Sequence, residues 1–158
     1  HLRHCPPWAI TVHAVGHGEM VKAVADTLSG LPTLVLGVTV LTSLGEDECK
    51  EVFVRTPEEQ VLRLAEIAVN AGAHGLVCSP QEVKELHRIY PHIILVTPGV
   101  RSPGGDVHDQ KRVGTPRQAQ DDGARFLVMG RQILNALNAS DPVAEVRRVL
   151  TKELGILI

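Results

Sequence analysis

An α/β fold built on a parallel sheet is what the sequence predicts, on three observations. Short apolar runs rich in β-branched residues alternate with stretches of helical spacing, and the alternation occurs five times. The strand-like runs are apolar at successive positions, which suits strands covered on both faces. Four of the helical stretches open on Thr-Pro, Ser-Pro or Asp-Pro, a capping residue followed by the imino acid that fits the first turn.

Taken in order, "AITVH" (9–13) is the first strand. "GEMVKAVADTLSG" follows as a helix ending at Gly30, suited to a left-handed C-terminal cap. The second strand is "TLVLGVTVLT" (33–42). A short helix over 45–53 precedes a longer one with Thr56 as cap, Pro57 at the first helical position and Glu59 as the reciprocal partner. "HGLVC" (74–78) is the third strand, and "SPQEVKELHRIY" opens its helix with Ser79 as cap. "HIILVT" (92–97) is the fourth strand and "TPRQAQDDG" its helix. "RFLVMG" (125–130) is the fifth, and "DPVAEVRRVLTKELG", capped by Asp141, closes the chain.

Two architectures accommodate five β-α units: a doubly wound open sheet, or part of a (β/α)8 barrel. No G-x-G-x-x-G follows a strand and no Walker A sequence is present. Eight units at this spacing would approach the roughly 250 residues typical of the barrel. The expectation is an incomplete barrel, one partial domain over 1–158 lacking the first three strands.

Bulk properties narrow the partners. A net charge of -2 over 158 residues gives no large field, so nucleic acid and anionic membranes are poor candidates. No apolar run reaches the roughly 20 residues of a membrane helix, and "HLRHCPPWA" lacks the apolar stretch of a signal peptide. Cys5, Cys49 and Cys78 are odd in number and unclustered, with neither a disulfide framework nor a zinc spacing. A reducing, cytoplasmic setting is expected, with no metal and no cofactor.

In parallel barrels chemistry collects where strands end. Those positions here are His13, Thr42 with Ser43, Ser79, the loop over 98–114, and Gly130 with Arg131. Gly130 ends a strand and Arg131 opens a helix-like stretch, so a close backbone approach, free N–H groups and a guanidinium together favour an anion. The alternative is a turn glycine beside a solvated charge. The stretch "VTPGVRSPGGDVHDQKRVGTP" (96–116) is too broken for regular structure. A loop longer than about 12 residues is functional or mobile. It would lie beside the anion site, bringing Arg101 as a planar fork and Gln110 as an amide. Lys111 and Arg112 are adjacent and cannot both point inward. His13 reads as a base or as a hydrogen-bonded structural residue, and Cys78 as an inert buried thiol. No lysine flanked by carboxylates, no nucleophile with a base and no metal cluster stands at a strand end.

The segments "VTVLTS", "GLVCSPQE", "VTPGVR", "DQKRVGTP" and "FLVMGRQI", in this order and spacing, resemble the second half of the orotidine 5'-phosphate decarboxylase family. "ITVHAVGHG" is similar to that family's fourth strand, usually His-Ala-x-Gly-Gly. The resemblance runs from about Ala9 across nearly the whole chain. It implies a (β/α)8 barrel that acts as a homodimer without metal or organic cofactor, converting orotidine 5'-phosphate to UMP and carbon dioxide. It further implies that Thr42 contacts the pyrimidine and that Arg101 binds substrate from the long loop. Gln110 would bridge the closed loop and the phosphate region, and Gly130 with Arg131 would hold the phosphate. The loop over 96–116 becomes a lid.

Two departures stand out. The family's Asp-x-Lys-x-x-Asp catalytic motif, with its helping lysine and aspartate on earlier strands, has no counterpart here, so no catalytic residue is assigned. His17 stands where the second Gly is usual. The expectation is a fragment that keeps the phosphate- and pyrimidine-binding half, is weakly stable or associates, and turns over no orotidylate. A sugar-phosphate synthase or decarboxylase of the same superfamily, and a non-catalytic nucleotide-phosphate-binding module, are the alternatives.

Overall fold

The computed structural model describes residues 4–105, 109–134 and 141–157. His1, the middle of the 96–116 loop and the end of the "VMGRQILNAL" stretch lie outside the described residues.

The strands are β1 (Ala9–His13), β2 (Leu34–Val38), β3 (Gly75–Val77), β4 (Ile94–Thr97) and β5 (Phe126–Leu127), all parallel, in the order β1-β2-β3-β4-β5. A strand order that follows the chain without reversing is barrel winding, whereas a doubly wound sheet switches direction. The barrel reading therefore prevails. The winding is partial, with β1 and β5 each paired on one side.

Helices α1 (His17–Leu28), α2 (Glu46–Phe53), α3 (Pro57–Asn70), α4 (Val83–Ile89), α5 (Pro116–Asp121), α6 (Arg131–Leu134) and α7 (Pro142–Arg148) follow the strands, and a π-type turn over Val149–Glu153 prolongs the last. The caps are those the sequence offers. Thr56 Oγ1 accepts from Glu59 N at 3.3 Å while Glu59 Oε2 accepts from Thr56 N at 3.2 Å. Thr115 and Asp141 accept the N–H groups of Gln118 and of Val143 and Ala144. Ser79 departs from expectation. It forms a turn, its hydroxyl accepting from Gln81 N at 3.2 Å, and α4 starts only after Glu82, whose carboxylate accepts Ser79 N–H at 2.9 Å.

Between sheet and helices lies the core, with Val12, Val35, Leu76 and Leu95 from the strands against Val21, Val61, Leu64 and Leu86 from the helices. Gly37 lets α3 approach: a Cβ there would stand 2.5 Å from the Ala68 methyl. Pairing register puts His13, Val38, Val77, Val96 and Phe126 in one row on the opposite, barrel-interior face. The sheet curls enough for Trp8, just before β1, to meet Phe126 of β5 edge-on at 4.8 Å. Trp8 is still 53% exposed and Phe126 41%, so this aromatic pair faces water, whereas Val38 and Val96 within the row are buried.

Four strands are shorter than the sequence suggests, β3 and β4 by two residues each and β2 and β5 by more. β2 stops at Val38 because the Val40 and Leu41 carbonyls turn to a side chain, Arg112 Nη2, at 2.8 and 3.1 Å. β5 keeps one more ladder bond, Val128 N to Thr97 O at 2.9 Å, before the chain leaves the sheet. His17 adopts φ 70° and ψ 172°, a conformation that glycine alone takes without strain.

Candidate functional site

Arg112 organises the strand-end face, a role the sequence reading did not give it. Only 4% exposed, its guanidinium donates to Leu44 O at 3.1 Å, to Val40 and Leu41 O, and to Glu82 Oε1 at 2.5 Å. One side chain thus ties the loop after β4 to the loops after β2 and β3. Its own N–H and that of Lys111 both donate to Thr42 O, at 3.2 and 2.9 Å. Burial raises the Glu82 pKa, and the Arg112 charge and the Ser79 hydrogen bond oppose that rise. Lys111, its neighbour, points the other way and pairs with Glu48. The two adjacent cations divide between inside and outside, Arg112 buried and Lys111 exposed. The signal for Arg112 lay in that adjacency, and for Glu82 in "SPQE", where a helix-opening role had seemed sufficient.

With the loop's base fixed, a continuous polar chain crosses the face. Thr42 Oγ1 donates to Gln110 Oε1, Gln110 Nε2 donates to Asp109 Oδ1 at 3.3 Å, and Arg131 Nη2 donates to the same Asp109 oxygen. Three of the expected site residues, from β2's loop, the long loop and α6, therefore stand in one line, joined by an aspartate not anticipated from sequence. Arg131 is half-exposed, and its hydrogen bond holds the Asp109 carboxyl below the usual carboxylate range, with Gln110 adding to the effect.

Arg101 lies deeper. It is 7% exposed, its guanidinium donates to Val100 O at 2.7 Å, and its N–H to Gly114 O at 2.9 Å. That last bond, with the bridge between Val100 and Gly114, pulls the two ends of the long loop together. Gly99 supports the turn at φ 78°, where a Cβ would come within 2.9 Å of Arg112 O. Gly130, just before α6, has open space where a Cβ would be. Among the described residues α6 covers one turn, which Arg131 opens.

Cys78 is buried and its thiol is pushed up to about 12, chiefly by burial, which makes it inert. His13 lies exposed at the end of the edge strand, facing the open interior. Among the described residues no group of three or more His, Cys, Asp or Glu could hold a metal ion, and no helix is long and apolar enough to cross a membrane. Chemically, the face offers hydroxyl, amide, carboxylate and guanidinium groups joined in one hydrogen-bonded line.

Residues 5–149 match the family model described as orotidine 5'-phosphate decarboxylase / HUMPS family. The chain is similar to an orotidine 5'-phosphate decarboxylase of Sphingopyxis alaskensis, 44% identical over 149 residues, covering 94% of this chain and 65% of that protein. A protein of the same name from Pseudomonas aeruginosa is 44% identical over 152 residues, covering 94% of this chain and 64% of the relative. Among solved structures, an orotidine 5'-phosphate decarboxylase from Lactobacillus acidophilus superposes with a TM-score of 0.68 at 34% identity, covering 89% of this chain and 62% of that one. The chain thus spans a little under two thirds of the length of these relatives.

Proposed function

We propose, from the premise that this chain belongs to the orotidine 5'-phosphate decarboxylase / HUMPS family, that it is the nucleotide-gripping part of an orotidine 5'-phosphate decarboxylase. In this reading Arg131 and the Gly130 backbone take the 5'-phosphate. Thr42 contacts the pyrimidine, Arg101 fixes the long loop against the substrate, and Gln110 links base and phosphate ends. The observation that carries the proposal is the Thr42–Gln110–Asp109–Arg131 line, which spans the face from the base-side residue to the phosphate-side residue.

A lid over a bound phosphate does useful work in such a reaction. Closure removes water and turns affinity for the dianion into stabilisation of charge developing at the distant base. The groups that would protonate the departing carbanion are another matter. No Asp-x-Lys-x-x-Asp occurs in this sequence, so turnover needs a polypeptide that supplies it. Homodimerisation in the complete enzyme and a cytoplasmic location belong to the same proposal. The first is supported by family resemblance and the second by three free thiols.

Titration of the chain with UMP and with ribulose 5-phosphate tests the substrate class. Tighter binding of UMP supports the orotidylate reading, and equal or inverted affinities favour a sugar-phosphate enzyme of the same family. Assay of the chain alone with orotidine 5'-phosphate should give no carbon dioxide release. Turnover would show that the catalytic groups have been misplaced.

A further inference from the structure

Beyond the residues proposed to touch the nucleotide, a second polar network joins the neighbours of its two arginines. Ser102 follows Arg101 and Gln132 follows Arg131. The Gln132 amide grips Ser102 twice: Oε1 accepts Ser102 N–H at 2.8 Å, and Nε2 donates to Ser102 Oγ. Ser102 Oγ also accepts from Arg148 Nη2 at 2.9 Å and donates to Glu153 Oε1 at 2.5 Å. A hydroxyl has one proton and two lone pairs, and all three are committed.

The hub is tied to the C-terminal helices. Gln132 Nε2 also reaches Glu145 Oε1 at 3.3 Å, and Arg148 pairs with Glu145 and with Glu153, each at 2.8 Å. The carboxylates are largely covered, at 16% and 11% side-chain exposure, so these bonds are less screened than surface pairs. On the far side, Gly105 N–H closes a turn onto Ser102 O at 2.9 Å. The segment carrying Arg101 and the segment carrying Arg131 are therefore fastened to each other and to one rigid support, one residue beyond each guanidinium.

We infer that Ser102 and Gln132 are positioning residues, which hold the loop segment carrying Arg101 in place against Arg131, the side chain proposed to take the phosphomonoester. The inference rests on the phosphate reading above and adds to it the pair that fixes the geometry. Misplacement by about 1 Å far from a ligand can cost on the order of a hundredfold where geometry is demanding. Loosening this bridge, while the Arg148–Glu145 and Arg148–Glu153 pairs stay, should cost less.

The test is titration of the 158-residue chain with UMP, reading affinity together with the ³¹P resonance of the bound nucleotide at saturation. Gln132→Leu removes both bonds to Ser102. Ser102→Ala keeps the backbone bond but loses the hub, and serves if the first variant does not fold. Either should weaken UMP about tenfold and move the bound ³¹P resonance towards that of free UMP. Wild-type affinity with an unchanged resonance, whatever happens to the melting temperature, would mean that the network only anchors the C-terminal helices. Arg131→Ala separates the two readings. If it leaves UMP affinity intact, the phosphate reading itself fails. If it abolishes binding while Gln132→Leu and Ser102→Ala do nothing, only the positioning role fails.

Discussion

Arg112 and Glu82 meet at 2.5 Å inside the protein, with side chains 4% and 6% exposed, and each also holds a different loop. Glu82 accepts the Ser79 N–H after β3, and Arg112 collects three carbonyls after β2. The strand-end face is thus assembled around a buried charge pair from two loops that meet a third.

Arg112→Met is expected to destabilise the chain by about 3 to 5 kcal/mol, because it leaves the buried Glu82 carboxylate without its cation and takes the guanidinium donors from the Val40, Leu41 and Leu44 carbonyls. Glu82→Gln, which keeps an acceptor, should cost less. The loss in Arg112→Met should depend on pH. With the guanidinium gone, the folded-state pKa of Glu82 rises further above its unfolded value, so the folded state keeps a proton that the unfolded state releases. Stability of the variant is then fullest below the unfolded carboxylate pKa and declines as pH rises towards the folded one. Urea titrations between pH 4 and pH 8, at roughly unit steps, check the sign.

His17→Gly should stabilise the fold. At φ 70° and ψ 172° a side chain is strained by about 1 to 3 kcal/mol, and the extra freedom of glycine in the unfolded chain returns part of that. A net gain of about 1 kcal/mol is expected, seen as a higher melting temperature. A loss would mean that the imidazole makes compensating contacts at the start of α1.

Asp109→Asn should tighten anion binding. Arg131 is already engaged by the Asp109 carboxylate, and an incoming phosphate must displace it. Removing an exposed ion-pair partner should raise UMP affinity by about twofold to fivefold. The pairing favours ionised Asp109, so its contribution is present above the unfolded carboxylate pKa. It disappears as pH falls through the lowered folded-state value. Weaker binding by the variant would assign Asp109 to the bound state instead.

Trp8, the only tryptophan, reports the curl of the sheet through its edge-on contact with Phe126. Phe126→Ala should shift its fluorescence to longer wavelength as the ring gains water. The exposed Trp8–Phe126 pair should also make the chain self-associate, so wild-type emission ought to move with protein concentration in parallel with sedimentation. Emission independent of both would mean that the two edge strands stand apart in solution.

Most of the architecture was legible because it is written in local chemistry. β1 has the expected bounds, and the Thr56, Thr115 and Asp141 caps act where their spacing puts them. Strand ends were not legible, since β2 is cut short by an arginine arriving from residue 112. The same reason hid Glu82 and Asp109. Each derives its role from a partner distant in sequence, Arg112 and Arg131, and periodicity carries no information about such pairs. His17 was the exception, because a histidine in a glycine position signals its strain without any partner.

The far end of the Thr42–Arg131 line is proposed to grip a phosphate. Calorimetric titration of the chain with UMP and with uridine, repeated on Arg131→Ala, measures that directly. UMP should bind at least about a hundredfold tighter than uridine, a difference on the scale of charge-assisted phosphate contacts, and the advantage should vanish in the variant. Equal binding of the two ligands, or an advantage that survives the loss of Arg131, would contradict it.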